Sequence, residues 1–302
     1  MYSNSFKFKI YHTSLAIIIA LLSSCQNDLT IEIKTNDKRL IVVGEFTTDS
    51  VVHTANLYLA SSLITGKPQT VVSAANIYIT NHTDTIYYIE SDTIPGLYQT
   101  PGKCRGIGGQ EYYLYINNVD IDNDGKSEIY TAMSLLPNPI QFDSLKSFHG
   151  FNGDGPMLEN NAYYTFLKPG PDYVYNFMNI NQNEMMPIEN RLGSGEFSQG
   201  DNEYRIYNAN NQSYNSPRSF FLEEGEAKLG DTLTFIGYNF TKEQYDFLIA
   251  FDNNTEGDIY QDNFMDKLNV PSNVPTNIVP GDKAAGFFLI YSISRISKVF
   301  NE

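Results

Sequence analysis

From Arg39 to Leu136 the apolar positions fall into short runs, many alternating with polar residues and separated by turn residues. Leu40-Ile41-Val42-Val43-Gly44-Glu45-Phe46 is the first run and Ala55-Asn56-Leu57-Tyr58-Leu59 the second. Ala75-Asn76-Ile77-Tyr78-Ile79 and Thr85-Ile86-Tyr87-Tyr88-Ile89 flank Asn81-His82-Thr83-Asp84, the pattern of a hairpin. Gly96-Leu97-Tyr98, Tyr112 to Ile116 and Ile129 to Ala132 complete the series. About seven strands with no helix-period segment between them predict an antiparallel immunoglobulin-like β-sandwich over residues 39–137. Pro137 and Pro139 deny ladder hydrogen bonds and place a boundary there.

Residues 138–302 read as a second β-rich domain with one or two short helices. Tyr163 to Leu167 and Tyr173 to Phe177 flank Lys168-Pro169-Gly170-Pro171, a turn by its chemistry. Asn179 to Asn215 is polar and Asn-rich and reads as long loops. Strands resume at Ser219 to Leu222 and Thr232 to Ile236, on either side of Gly230-Asp231. Thr241 and Gln244 then form a capping box, and Tyr245, Leu248, Ile249 and Phe251 an apolar stripe, predicting a helix near 242–252. Pro271, Pro275 and Pro280 punctuate an extended stretch before Ala285 to Ile290, Ile293 and Ile296, a closing strand or pair of strands.

Composition supports a mainly β reading. Aromatics make up 14% of the 302 residues, with 22 Tyr, 19 Phe and no Trp, while charged residues are only 18%. That is enough apolar material for ordered cores. The formal charge of −15 opposes association with nucleic acid or anionic lipid head groups, so no nucleic-acid partner is expected.

The beginning of the chain points to a membrane all the same. Lys7 and Lys9 precede the apolar run Leu15 to Leu22, the n-region and h-region of an export signal. A bilayer-spanning helix needs about 20 apolar residues, so this run is too short to span. Leu22-Ser23-Ser24-Cys25 then has the form of a bacterial lipobox, so residues 1–24 read as a lipoprotein signal peptide, Cys25 as the lipidated residue and 25–38 as a tether. An ordinary signal peptide followed by a chance cysteine is the plainer alternative. Several acyl chains, each contributing about 0.8 kcal/mol per buried CH2, would make the attachment effectively permanent. Gln26 rather than aspartate after the cysteine favours the outer membrane, and Asp28 nearby favours its outward face.

Asp120-Ile121-Asp122-Asn123-Asp124-Gly125 carries acids at the first, third and fifth places of a calcium loop, with Glu128 at the ninth and Thr131 where a bidentate glutamate would stand. The same residues also make a good Asp/Asn/Gly hairpin turn. Calcium is thus the one cofactor with any candidate ligands. His12, His53, His82 and His149 have no zinc-ligand spacing, and Gly193-Ser194-Gly195 lacks the outer glycines of a nucleophile elbow. Gly106, Gly108 and Gly109 precede a strand rather than a helix and read as a turn, not a phosphate loop. With Cys25 lipidated, Cys104 is a lone thiol, most simply a small buried residue. No catalytic constellation is visible, so a non-enzymatic role is expected.

The order of several segments resembles a Bacteroidetes lipoprotein family defined only as a domain of unknown function. They are the lipobox at Cys25, Leu40 to Glu45, Ala75 to Ile79, Gly96-Leu97-Tyr98, Gly109 to Leu114, Tyr130-Thr131-Ala132 and Asp143-Ser144-Leu145. Gly230-Asp231-Thr232-Leu233, Asn273 to Ile278 and Gly286-Phe287-Phe288 follow in the same order. The resemblance implies a lipid-anchored outer-membrane protein that assists a TonB-dependent transporter in nutrient capture. A surface adhesin or carbohydrate-binding lipoprotein is the alternative, since tyrosines can stack on sugar rings, and a hydrolase is a third. Asp49-Ser50-Val51, Asp84-Thr85-Ile86, Asp92-Thr93-Ile94, Asp143-Ser144-Leu145 and Asp231-Thr232-Leu233 also resemble the O-glycosylation sites of exported proteins from such bacteria, or begin turns.

Overall fold

The computed structural model describes residues 39–59, 70–152, 155–165, 171–181, 206–208, 218–223, 225–255, 277–280 and 283–301. The chain is mainly β, as its alternation predicts. β1 (Leu40–Thr47), β2 (Thr54–Leu59), β3 (Thr70–Val71), β4 (Asn76–Thr80), β5 (Thr85–Glu90), β6 (Leu97–Gln99), β7 (Gln110–Val119) and β8 (Glu128–Leu136) come first. Then follow β9 (Gln141–Asn152), β10 (Gly155–Thr165), β11 (Tyr173–Ile180), β12 (Ile206–Asn208), β13 (Arg218–Glu223), β14 (Thr232–Phe240), the helix α1 (Lys242–Thr255) and β15 (Ala284–Val299).

Hydrogen bonds trace a continuous mixed sheet in the order β12-β11-β14-β15-β1-β2-β6-β5-β4-β7-β8, with β3 added to β2. This differs from two separate antiparallel sheets in two respects. First, β1 pairs in parallel with β15, from Leu40 opposite Ala284 to Thr47 opposite Tyr291. Second, β5 changes neighbours along its length. Thr85 to Tyr88 pair with β4, and Ile89 and Glu90 with β6. The sheet therefore curls, and the inward residues of β4, β7 and β8 meet those of β1, β2 and β6 in one core.

β1 and β15 are buried on both faces. Leu40, Val42 and Phe46 enter the first core with Ala284, Phe288 and Ile290. Ile41 and Val43 enter a second with Phe287, Leu289 and Tyr291. The unbroken Leu40 to Val43 run reflects this double burial, and each such fully buried side chain contributes about 2 kcal/mol relative to exposure. The first core joins residues between Leu40 and Leu136 with Ile278, Ala284, Phe288 and Ile290, so both core and strand pairing run across position 137.

In the second core, Phe247 and Leu248 of α1 pack on Tyr175, Tyr238, Phe240 and Phe287. The opposite phase of β14, Leu233 and Phe235, meets Leu145, Leu158 and Ala162 of a three-stranded sheet ordered β13-β10-β9. β14 is thus covered by a helix on one side and strands on the other. The helix begins as predicted: Thr241 N–H donates to Gln244 Oε1 at 2.9 Å, and Gln244 N–H to Thr241 Oγ1 at 3.4 Å. The strands around Pro171 and around Gly230-Asp231 do not pair with each other. β10 pairs with β9 and β13, and β14 with β11 and β15. The strands flanking each predicted turn belong to different sheets.

Candidate functional site

The outward face of β5, β4, β7 and β8 carries an aromatic surface, with the charge of Glu111 at its rim. Register aligns Tyr87, Tyr78, Tyr115 and Thr131 in one row across the four strands. Thr85, Thr80, Tyr113 and Met133 align in the next. Asn76 lies opposite Asn117, with Ile89 and Ile129 continuing the outward phase of β5 and β8. No position in these rows carries a charge. Tyr87, Ile89, Ile129 and Met133 are each more than half exposed, at 62%, 59%, 62% and 53%.

The tyrosines support one another. Tyr78 and Tyr115 stack with centroids 4.9 Å apart and planes 16° apart, and Tyr87 lies 5.7 Å from Tyr78. At that separation each ring of the offset pair covers part of one face of the other, and Tyr87 tilts toward Tyr78. At the rim, His82 lies 4.5 Å from Tyr113, whose hydroxyl donates to Glu111 Oε2 at 3.1 Å. That carboxylate raises the Tyr113 phenol above its ordinary value. With strands about 4.8 Å apart, the rows span roughly 15 Å, the scale of a hot-spot cluster rather than a whole interface.

The Asp-rich loop joins β7 to β8. One carboxylate oxygen from each of Asp120, Asp122 and Asp124 lies within 4.8 Å of the others. The loop is also closed as a turn: Asp124 N–H donates to Asp120 at 3.1 Å and Gly125 N–H to the other Asp120 oxygen at 2.9 Å, with Asn123 and Gly125 at positive φ. Glu128 lies elsewhere. Its Oε1 accepts from Lys283 Nζ at 2.7 Å, and that ammonium is 3.7 Å from Asp122. The Glu128 bond raises the Lys283 pKa. Calcium takes six to eight oxygens, so three carboxylates would need backbone or water oxygens to complete a shell.

Cys25 and Gly193-Ser194-Gly195 lie outside the described residues, as do the signal and tether segments. His53 is buried, with its Nε2 donating to the Cys104 carbonyl at 3.1 Å, and Cys104 is half-buried with its thiol pushed up by burial. Of the Asp-Ser/Thr motifs, Ser50, Thr85 and Thr93 are exposed, whereas Ser144 and Thr232 are half-buried in strands. A comparison of the chain with protein-family models finds no match, and a comparison with curated proteins finds none either.

Proposed function

We propose that the protein is a lipid-anchored binding component of the outer membrane, attached through Cys25, that docks on a TonB-dependent transporter and assists nutrient capture. The observation that carries the docking role is the pair of uncharged, aromatic rows across β5, β4, β7 and β8 on a chain of formal charge −15. Interface centres are depleted of charge and enriched in Tyr and Met, and exposed aromatic and apolar side chains grouped on one sheet face mark docking surfaces. The membrane placement rests on the signal and lipobox pattern, and the transporter on the family resemblance.

The test is isolation of the native protein from detergent-solubilised membranes, beside the variant Tyr87→Lys/Ile129→Lys. Both positions are exposed, so the thermal midpoint of the variant is expected within about 3 °C of wild type. A transporter barrel is expected with the wild type and at least tenfold depleted with the variant. Isolation of the wild type without a transporter overturns the reading. Equal recovery with both proteins removes this face from it.

A further inference from the structure

The segment Thr100–Gly106, between β6 and β7, is strapped to the end of β1 and the start of β2. Thr100 N–H donates to the His53 carbonyl at 3.0 Å, and His53 N–H to Thr100 Oγ1 at 3.1 Å. Cys104 and Val51 exchange two backbone bonds, at 3.0 and 3.2 Å, and Gly106 N–H donates to the Thr47 carbonyl at 2.8 Å. Beneath the strap lies the His53 ring, 2% exposed and 4.7 Å from Phe46, which in turn lies 5.1 Å from Tyr112 of β7. Nε2 donates to the same Cys104 carbonyl, so the imidazole is one of the strap's fastenings.

We propose that His53 is a proton-operated latch: its neutral ring pins the strap, and protonation in mildly acidic solution frees Thr100–Gly106. A buried imidazolium needs water or a counter-charge. Among the described residues the charged group that acts on it is Asp49, two residues past β1, whose carboxylate is already gripped by both guanidinium nitrogens of Arg295 on β15. The strap offers only the Cys104 carbonyl and a thiol that burial keeps protonated, and β7 offers the Tyr112 phenol behind Phe46. Opening the strap hydrates the charge at least cost, because Pro101, Gly102, Lys103 and Arg105 are already exposed, whereas Phe46 and Tyr112 belong to the core.

Burial holds the imidazole below the ordinary value of 6.5, although the carbonyls of Cys104 and Asp49 and the Asp49 carboxylate pull the other way. The opened state therefore binds the proton more readily than the closed one. The latch holds fully above that ordinary value and weakens as pH falls below it, by at most about tenfold per pH unit.

Hydrogen exchange on the full chain between pH 7 and pH 5, corrected for intrinsic rates, reads the latch directly. Strap amides are expected to lose roughly fivefold or more of their protection while β14 amides change less than about twofold. The variant His53→Gln, which keeps a donor for Cys104 but cannot take up the proton, is expected to show no such pH dependence. Undiminished strap protection at pH 5, or an equal loss in His53→Gln, overturns the proposal. If that variant does not fold, the wild-type ring titration decides: protonation of His53 at or above the ordinary histidine value, with the strap still protected, overturns it as well.

Discussion

Gly286 lies opposite Val42 of β1, with φ +84°, and a Cβ built there would lie 2.1 Å from the Val42 carbonyl oxygen. Any L side chain would be both strained and in collision with backbone. Gly286→Ala is expected to cost about 2–4 kcal/mol, read as a drop in the urea midpoint. By contrast, Gly102 and Gly125 meet nothing within 4 Å, and alanine at Gly102, which has no positive φ, is expected to be nearly neutral by the same measurement. The sequence marks Gly286 only as a break in an apolar run. The tyrosine face, however, is legible at single residues. In a strand with one buried face the other phase is ordinarily polar, yet Tyr87 and Ile89 of β5, and Tyr113 and Tyr115 of β7, put aromatic and apolar groups on the outward phase. Only the register, a long-range property, lines them up with Tyr78 and Met133.

Helix α1 was fully legible at its start because capping is local chemistry. What the capping box did not reveal is the second use of Gln244. Its Nε2 donates to Ser134 Oγ at 2.7 Å and to the Ile290 carbonyl, tying the helix to β8 and β15. Thr241→Ala removes one cap and is expected to cost about 1 kcal/mol. Gln244→Ala also strands buried partners on two strands and is expected to cost about 2–4 kcal/mol, a difference that thermal unfolding of the two variants resolves. β9 escaped the pattern because Gln141–Asn152 mixes charged, polar and aromatic residues without clear alternation, and its place is set by pairing with β10. The predicted turn at 168–171 lies mostly outside the described residues, and a turn signal does not say whether its flanking strands pair.

Across the molecule, β1 and β15 form the wall shared by two cores, one lined mostly by residues before Pro137 and the other by residues after it. The sequence signal at Pro137 and Pro139 is local, and both cores draw on residues from either side of it. The parallel pairing that crosses it depends on residues far apart in the chain, and no local period records it. A fragment of residues 39–137 lacks Ala284, Phe288 and Ile290 and leaves Ile41 and Val43 uncovered, so it is expected to give broad, non-cooperative unfolding by circular dichroism. A sharp transition from that fragment would contradict the shared wall. The same pairing sets a timetable. Leu40 finds its neighbour Ala284 only after about 240 further residues are made, roughly 10–50 s at ordinary synthesis rates. Until then both hydrophobic interiors lack the strand that they share.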